Sequence, residues 1–381
     1  MIHDIAEKVY NGERLSIEDG VRLIRHHNLP ELGALAHFVR EKLHPDPLVT
    51  YVVGRNINYT NICWVKCDFC AFYRLPGDDE GYVHPIEKIF EKIDEMVAMG
   101  GIEILMQGGL NPKLKIDYYE ELFSAIKENY PQVILHALSP TEIIYIAHIS
   151  KLSFEETLRR LKAAGLDSIP GGGAEMLIDE VRDFIAPLKD KADEWLEVMR
   201  VAHRLGIPST VTMMYGTTET MEQRVEHFMK VRDLQDETGG LTAFIPWSFQ
   251  PNGTPLGDKL QENGDWQVST GYDYLRTVAV ARIILDNVPS IQASWVTQGT
   301  KIAQISLKFG VNDFGSTMME ENVVSAAGTR FEVQIQEIER CIHKAGYKPR
   351  RRNTRYELLP DEPLPLLAAT PTARLFPILN S

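Results

Sequence analysis

From residue 48 to about residue 330 the chain alternates short apolar runs with longer amphipathic ones, and no other feature restricts its fold so tightly. The apolar runs fall at 50–57, 102–106, 133–137, 168–169 with its flanks, 210–214, 242–245 and 291–295, with an eighth, less apolar, near 311–314. Between them, apolar residues recur at three- and four-residue steps over 85–99, 118–129, 154–164, 192–205 and 222–237. Short continuous apolar runs read as buried strands, and the longer periodic ones as helices with one apolar face. Strands separated by helices lie parallel, because each crossover returns the chain to the same edge with a right-handed turn. Eight such units over about 280 residues predict a (β/α)8 TIM-type barrel, with an open doubly wound sheet as the alternative.

The flanks differ from this core. Residues 1–47 predict an N-terminal helical extension, with Ile5, Val9, Leu15, Val21, Ile24, Leu32, Leu35 and Phe38 at helical spacing. Ser16 is placed as an N-cap with Asp19 three residues on, and Pro45-Asp46-Pro47 ends the block. The barrel is expected over 48–330 and a C-terminal helix and tail over 331–381. The helix is expected at 331–344 and is followed by the basic run Arg350-Arg351-Arg352. The proline-rich end is expected to be poorly ordered or draped over the barrel.

Acidic residues outnumber basic ones, 53 to 40, for a net charge of −13. That balance argues against nucleic acid or an anionic membrane as partner, since both need a basic face. No run approaches the length of a membrane span, and Met1–Lys8 lacks the basic and then apolar order of a secretory leader. The expected compartment is the cytoplasm, where thiols stay reduced.

Of four cysteines, Cys63, Cys67 and Cys70 fall within eight residues, directly after the first strand, and Cys341 lies far away. A disulfide framework would spread its cysteines, so the cluster reads as a metal site. In a barrel this loop sits at the C-terminal mouth, where active sites are built. Three thiolates serve a four-iron cubane only in part, leaving one iron for the amine and carboxylate of a bound amino acid. Structural zinc is the competing reading, and it would need Cys341 to fold back as a fourth ligand. Phe69, between the last two cysteines, either packs or shields the metal site.

The pattern C-x3-C-x-aromatic-C resembles the signature of the radical S-adenosylmethionine superfamily. The resemblance implies a [4Fe–4S] cluster on Cys63, Cys67 and Cys70 that reductively cleaves S-adenosylmethionine to a 5′-deoxyadenosyl radical. It also implies a one-electron reductant such as flavodoxin or ferredoxin. By the same resemblance Gly108 and Gly109 offer close backbone approach to the methionine moiety, although Leu110 stands where Glu is common. Glu175 is the expected ribose contact, its alternative being a charge that suits a helix N-terminus. Phe69 is expected beside the adenine, and Tyr215 in the adenine or substrate pocket.

The stretches 70–74, 135–143, 170–175 and 313–322 are similar to one branch of the superfamily, the futalosine-route menaquinone enzymes and the deazaflavin-forming enzymes. Tyr73 and the His136-Ala137-Leu138-Ser139-Pro140 run most resemble the branch members that cyclise dehypoxanthinylfutalosine. In the sister aminofutalosine synthases Gly more often replaces Tyr73. This implies a small-molecule substrate, hydrogen abstraction at its ribose C4′, radical addition to the attached benzoate ring, and loss of one electron and one proton. His136 and Tyr73 are the expected catalytic residues, His136 as the base with Tyr73 and Glu142 as alternatives, and Arg55 or Arg74 as the benzoate's partner. A non-catalytic iron–sulfur carrier or assembly factor is the reading from another class; it would need neither Gly108-Gly109 nor Glu175.

Overall fold

The computed structural model describes residues 2–262, 264, 266–329, 331 and 333–361. Its first stave is split in two, β1 (Leu48–Val52) and β2 (Gly54–Ile57). After it come β3 (Glu103–Met106), β4 (Ile134–Ala137), the bridge residues Ser168 and Ile169, β5 (Ser209–Tyr215), β6 (Leu241–Ser248), β7 (Ser290–Ile291) and β8 (Asp313–Ser316).

Every pairing between these staves is parallel, and together they close a ring. β2 pairs with β3 and β3 with β4. Single bridges carry the ring on, His136 to Ser168 and Ile169 to Ser209. β5 pairs with β6 and β6 with β7, Gln292 bridges to Asp313, and β8 returns to β1. The barrel expected from strand–helix alternation is therefore the architecture, and no open sheet edge of the alternative fold is needed. The strand expected at 291–295 is shorter, because Ser294 gives its N–H to the Tyr274 hydroxyl and a helix, Trp295–Ser306, begins there.

The N-terminal helices α1 (His3–Asn11), α2 (Ile17–Ile24) and α3 (Leu29–Leu43) clad the outside. Ser16 and Asp19 form the expected capping box at the start of α2. α2 packs on the helix Met221–Thr238, where a Cβ at Gly20 would lie 2.7 Å from the Val225 side chain. α3 packs on the helix Gly271–Ile284. Among the described residues no helix is long and apolar enough to cross a membrane.

The C-terminal segment departs from expectation. The helix runs Ile335–Lys344, and the chain then forms a further strand, β9 (Lys348–Arg351), parallel to β1 in the register Leu48 to Lys348 through Tyr51 to Arg351. The lower half of the first stave is thus held between β8 and β9, while its upper half, β2, joins β3. Residues 345–361 are therefore part of the barrel floor. The physical reason is ionic as well as main-chain: Arg352, the last residue of the basic run, is buried against Asp313 of β8. The proline-rich end, 362–381, lies outside the described residues.

Candidate active site

A cavity of about 400 Å³ occupies the barrel from its upper loops to the floor made by the C-terminal segment. Its wall brings together Cys63, Cys67, Cys70, Phe69, Tyr73, Gly108, Gly109, His136 and Glu175.

The cysteine loop is held by its own main chain. The Cys63 N–H donates to the Arg74 carbonyl at 2.8 Å and the Arg74 N–H to Asn61 at 2.8 Å, closing the loop's ends on each other. Asp68 is tied to the Ile185 carbonyl at 3.0 Å, and Lys66 turns the chain with φ of 54°. The backbone N–H groups of Leu110, Val65 and Lys66 point at the Cys63 sulfur, and those of Phe72 and Tyr73 at the Cys70 sulfur. Burial pushes all three thiols up, and these amides pull Cys63 and Cys70 back toward thiolate. None of the three is in a disulfide.

Such N–H···S donors suit an iron–sulfur cluster, whose irons take separate thiolates and whose charge is relieved by hydrogen bonds to sulfur. Among the described residues no group of three His, Cys, Asp or Glu is placed to hold a single metal ion. Cys341, the fourth ligand that zinc would require, is buried in the helix Ile335–Lys344 with Glu337 as its neighbour.

The loop after β3 is shaped to this one. A Cβ on Gly109 would lie 2.4 Å from the Ile62 carbonyl oxygen and 2.9 Å from the Cys63 Cβ, and one on Gly108 2.7 Å from the Tyr59 ring. Only glycine lets the two loops meet this closely. Glu142 anchors the turn from below. Its Oε1 accepts from the Gly108 N–H and the Tyr59 hydroxyl, both at 2.9 Å, and its Oε2 from the Ser139 N–H and hydroxyl at 2.7 and 2.8 Å. All four acceptor positions are filled, so Glu142 is a buried strut and not a free base.

Glu175 is buried with φ of 38°, its carboxylate ion-paired with Lys189 and 3.9 Å from Arg182. The next helix starts only at Asp179, which removes the helix-terminus reading. The Lys189 ammonium also lies 5.5 Å from the centre of the Phe69 ring, tying Glu175 to the cysteine loop.

Tyr215 is not brought to the cavity. Side chains alternate along a strand, and on β5 it is Thr210 and Thr212 that reach the cavity wall. Tyr215 falls on the opposite parity, fully buried, with the Arg224 guanidinium 4.6 Å from its ring centre. Arg55 and Arg74 are also absent from the wall: Arg55 pairs with Glu95 and Glu320, and Arg74 with Glu80.

His136 sits on the inner face of β4, its Nδ1 2.7 Å from the Ser168 hydroxyl. Burial, with the Arg352 charge adding to it, pushes the imidazole down to about 3, so it is neutral throughout the physiological range. The cations on the described cavity wall are Lys189 and Arg352. Sequence reasoning singled out neither as a site residue: Lys189 carries no motif, and Arg352 was read with its basic neighbours.

Residues 57–231 match the radical SAM superfamily and residues 238–364 the CofH/MqnC C-terminal region. The chain belongs to the radical SAM superfamily, and its cofactors are a [4Fe–4S] cluster and S-adenosylmethionine. More particularly, it is 48% identical over 358 residues to the cyclic dehypoxanthine futalosine synthase of Halalkalibacterium halodurans, covering 94% of this chain and 95% of that protein. It is 44% identical to the cyclic dehypoxanthine futalosine synthase of Streptomyces coelicolor, covering 94% and 89%. The crystal structure of methylornithine synthase has the same fold, with a TM-score of 0.71 at 18% identity over 90% of this chain and 96% of that one.

Proposed function

We propose that this protein converts dehypoxanthinylfutalosine to its cyclic spiro product in menaquinone biosynthesis. The observation that carries the reading is one continuous cavity with three clustered thiols at one end and polar side chains at the other, in a chain matched nearly end to end by relatives of that name. When bound, the cluster and S-adenosylmethionine supply a 5′-deoxyadenosyl radical that takes the ribose C4′ hydrogen, after which C4′ bonds to the benzoate ring and one electron and one proton leave.

The chain's own residues divide that task. Cys63, Cys67 and Cys70 hold the cluster, and Phe69 covers its cavity side. Gly108 and Gly109 let the β3 loop approach the methionine moiety, and Glu175 accepts hydrogen bonds from ribose hydroxyls. Tyr73 and His136 line the substrate's share of the cavity. His136 Nδ1 lies 2.7 Å from the Ser168 hydroxyl, and in the tautomer that carries its proton on Nδ1 the Nε2 lone pair is the acceptor for the ring proton, a weak base whose neighbour Arg352 opposes its charging. A reduced one-electron carrier, flavodoxin or ferredoxin, and the cytoplasm complete the reading.

Anaerobic reconstitution with iron and sulfide, then reduction and addition of S-adenosylmethionine with each candidate substrate, tests it. The expected result is 5′-deoxyadenosine together with a product two hydrogens lighter than dehypoxanthinylfutalosine. Production of 5′-deoxyadenosine with product only from an aminofutalosine-synthase or deazaflavin-type substrate would move the chain to its sister activities.

A further inference from the structure

The cavity floor carries hydrogen-bond donors that no group among the described residues accepts from. Arg352, which follows β9, has 3% of its side chain exposed. Its Nε and Nη2 donate to the two oxygens of Asp313 at 2.6 and 2.9 Å, and Nη1 donates to the Asn353 carbonyl at 3.0 Å. A guanidinium has five N–H groups, so two remain after these three contacts. Asp313 does not compete for a ligand. It already accepts from Thr50 and Gly315 as well as twice from Arg352, which fills a carboxylate's four positions.

Tyr356 supplies the second observation. Its ring centre lies 3.8 Å from the Arg352 guanidinium, and its φ of 64° puts a bulky residue in the left-handed region. Its hydroxyl is buried and has no partner among the described residues. An unpaired buried hydroxyl on strained backbone is costly unless something fills the gap. Both residues are on the cavity wall. The other described cation there, Lys189, is committed to Glu175 at the thiol end.

We propose that Arg352 and Tyr356 form an oxyanion subsite that holds a carboxylate of the substrate on the cavity floor and so sets how far the rest of the molecule reaches toward the three cysteines. The inference rests on the proposed function for which carboxylate this is, an aryl one. The neighbouring carboxyl of Glu103 does not oppose it: burial pushes Glu103 up toward its neutral form, and Thr354 donates to it.

The test compares the reconstituted enzyme with Arg352→Lys, which keeps a charge opposite Asp313 but loses the planar fork, and with Tyr356→Phe, which loses only the hydroxyl. Each is assayed with dehypoxanthinylfutalosine and with its methyl ester. In the native enzyme the ester's KM is expected to exceed the acid's by about tenfold, the worth of one charge-assisted hydrogen-bonded pair. In both variants the acid's KM rises toward the ester's, so that this ratio collapses while kcat for the two substrates stays matched. A wild-type ratio in Tyr356→Phe overturns the shared subsite even if Arg352→Lys fails to fold. Collapse in Lys189→Met but not in Arg352→Lys overturns it too.

Binding of benzoate against methyl benzoate, measured anaerobically by ligand NMR, separates this inference from the proposed function. If the native enzyme fails to turn over the acid yet prefers benzoate, and both variants lose that preference, the function falls and the subsite stands. Equal binding of the two probes to the native protein overturns the subsite.

Discussion

The two ends of the cavity are built from opposite materials. At the thiol end the main chain dominates: five backbone N–H groups point at two sulfurs, and two glycines let one loop lie against another. At the floor side chains dominate: Arg352 and Thr50 both donate to Asp313, and Thr354 donates to Glu103. The first kind of site tolerates little change in backbone and is indifferent to many side chains. The second depends on the charge balance of particular side chains. Changes at the rim should therefore act on cofactors, and changes at the floor on substrate binding and on stability.

The largest effect that would sharpen this contrast is at Gly109. Gly109→Ala is expected to displace the cysteine loop, since the new methyl would sit 2.4 Å from the Ile62 carbonyl oxygen. Iron content and 5′-deoxyadenosine formation should both fall to the level of Cys67→Ser; a variant that keeps its iron would break the account of the rim. Next is Asp313→Asn, which strips the buried Arg352 of its counter-ion and should cost about 3–5 kcal/mol of stability in denaturant unfolding. The same variant should still load iron, because the defect lies at the other end.

Acid sensitivity should also be a floor property in part. Burial holds His136 and His227 down to about 3 and His203 to about 4, whereas an unfolded imidazole titrates near 6.5. Below about pH 6.5 the unfolded chain binds protons that the native one refuses, so stability is present above that pH and lost as pH falls toward about 3. His136→Gln should reduce the slope of unfolding free energy against pH by about one proton between roughly pH 4 and 6. An unchanged slope would mean that His136 is charged in the native protein.

Smaller again, Glu175→Gln should weaken S-adenosylmethionine binding by about tenfold, near 1.4 kcal/mol, in anaerobic equilibrium titration. The smallest effect belongs to Tyr215→Phe. It should leave cofactor affinity within about twofold and stability unchanged or raised by up to about 1 kcal/mol, since the hydroxyl it removes is buried without a partner. A large loss of affinity there would return Tyr215 to the cavity.

What was legible in the sequence follows the same division. The rim is written in contiguous motifs, three cysteines and a glycine pair placed after strands, and strand–helix alternation alone predicts the ring. The floor is not contiguous. Asp313 meets Arg352 across 39 residues, and Thr354 meets Glu103 across 251. Read locally, Arg350-Arg351-Arg352 is a basic run, and no local pattern says that its last member is buried. Tyr215 shows a different limit: the run locates β5, but its last three residues, Met213, Met214 and Tyr215, are all apolar or aromatic and by themselves do not show which parity faces inward. Arg55 and Arg74 were near the right loops, yet their carboxylate partners turn them away from the cavity.

The pairing of Leu48 with Lys348 has a consequence for synthesis. The two partners are about three hundred residues apart, and closing so long a stretch of chain is slow. On the ribosome, the first stave waits, its lower edge unpaired, until residues 348–351 have been translated. A protein cut before residue 348 would keep every cysteine and both glycines of the rim. It would lack Arg352, so that Asp313 would face an open base without its counter-ion.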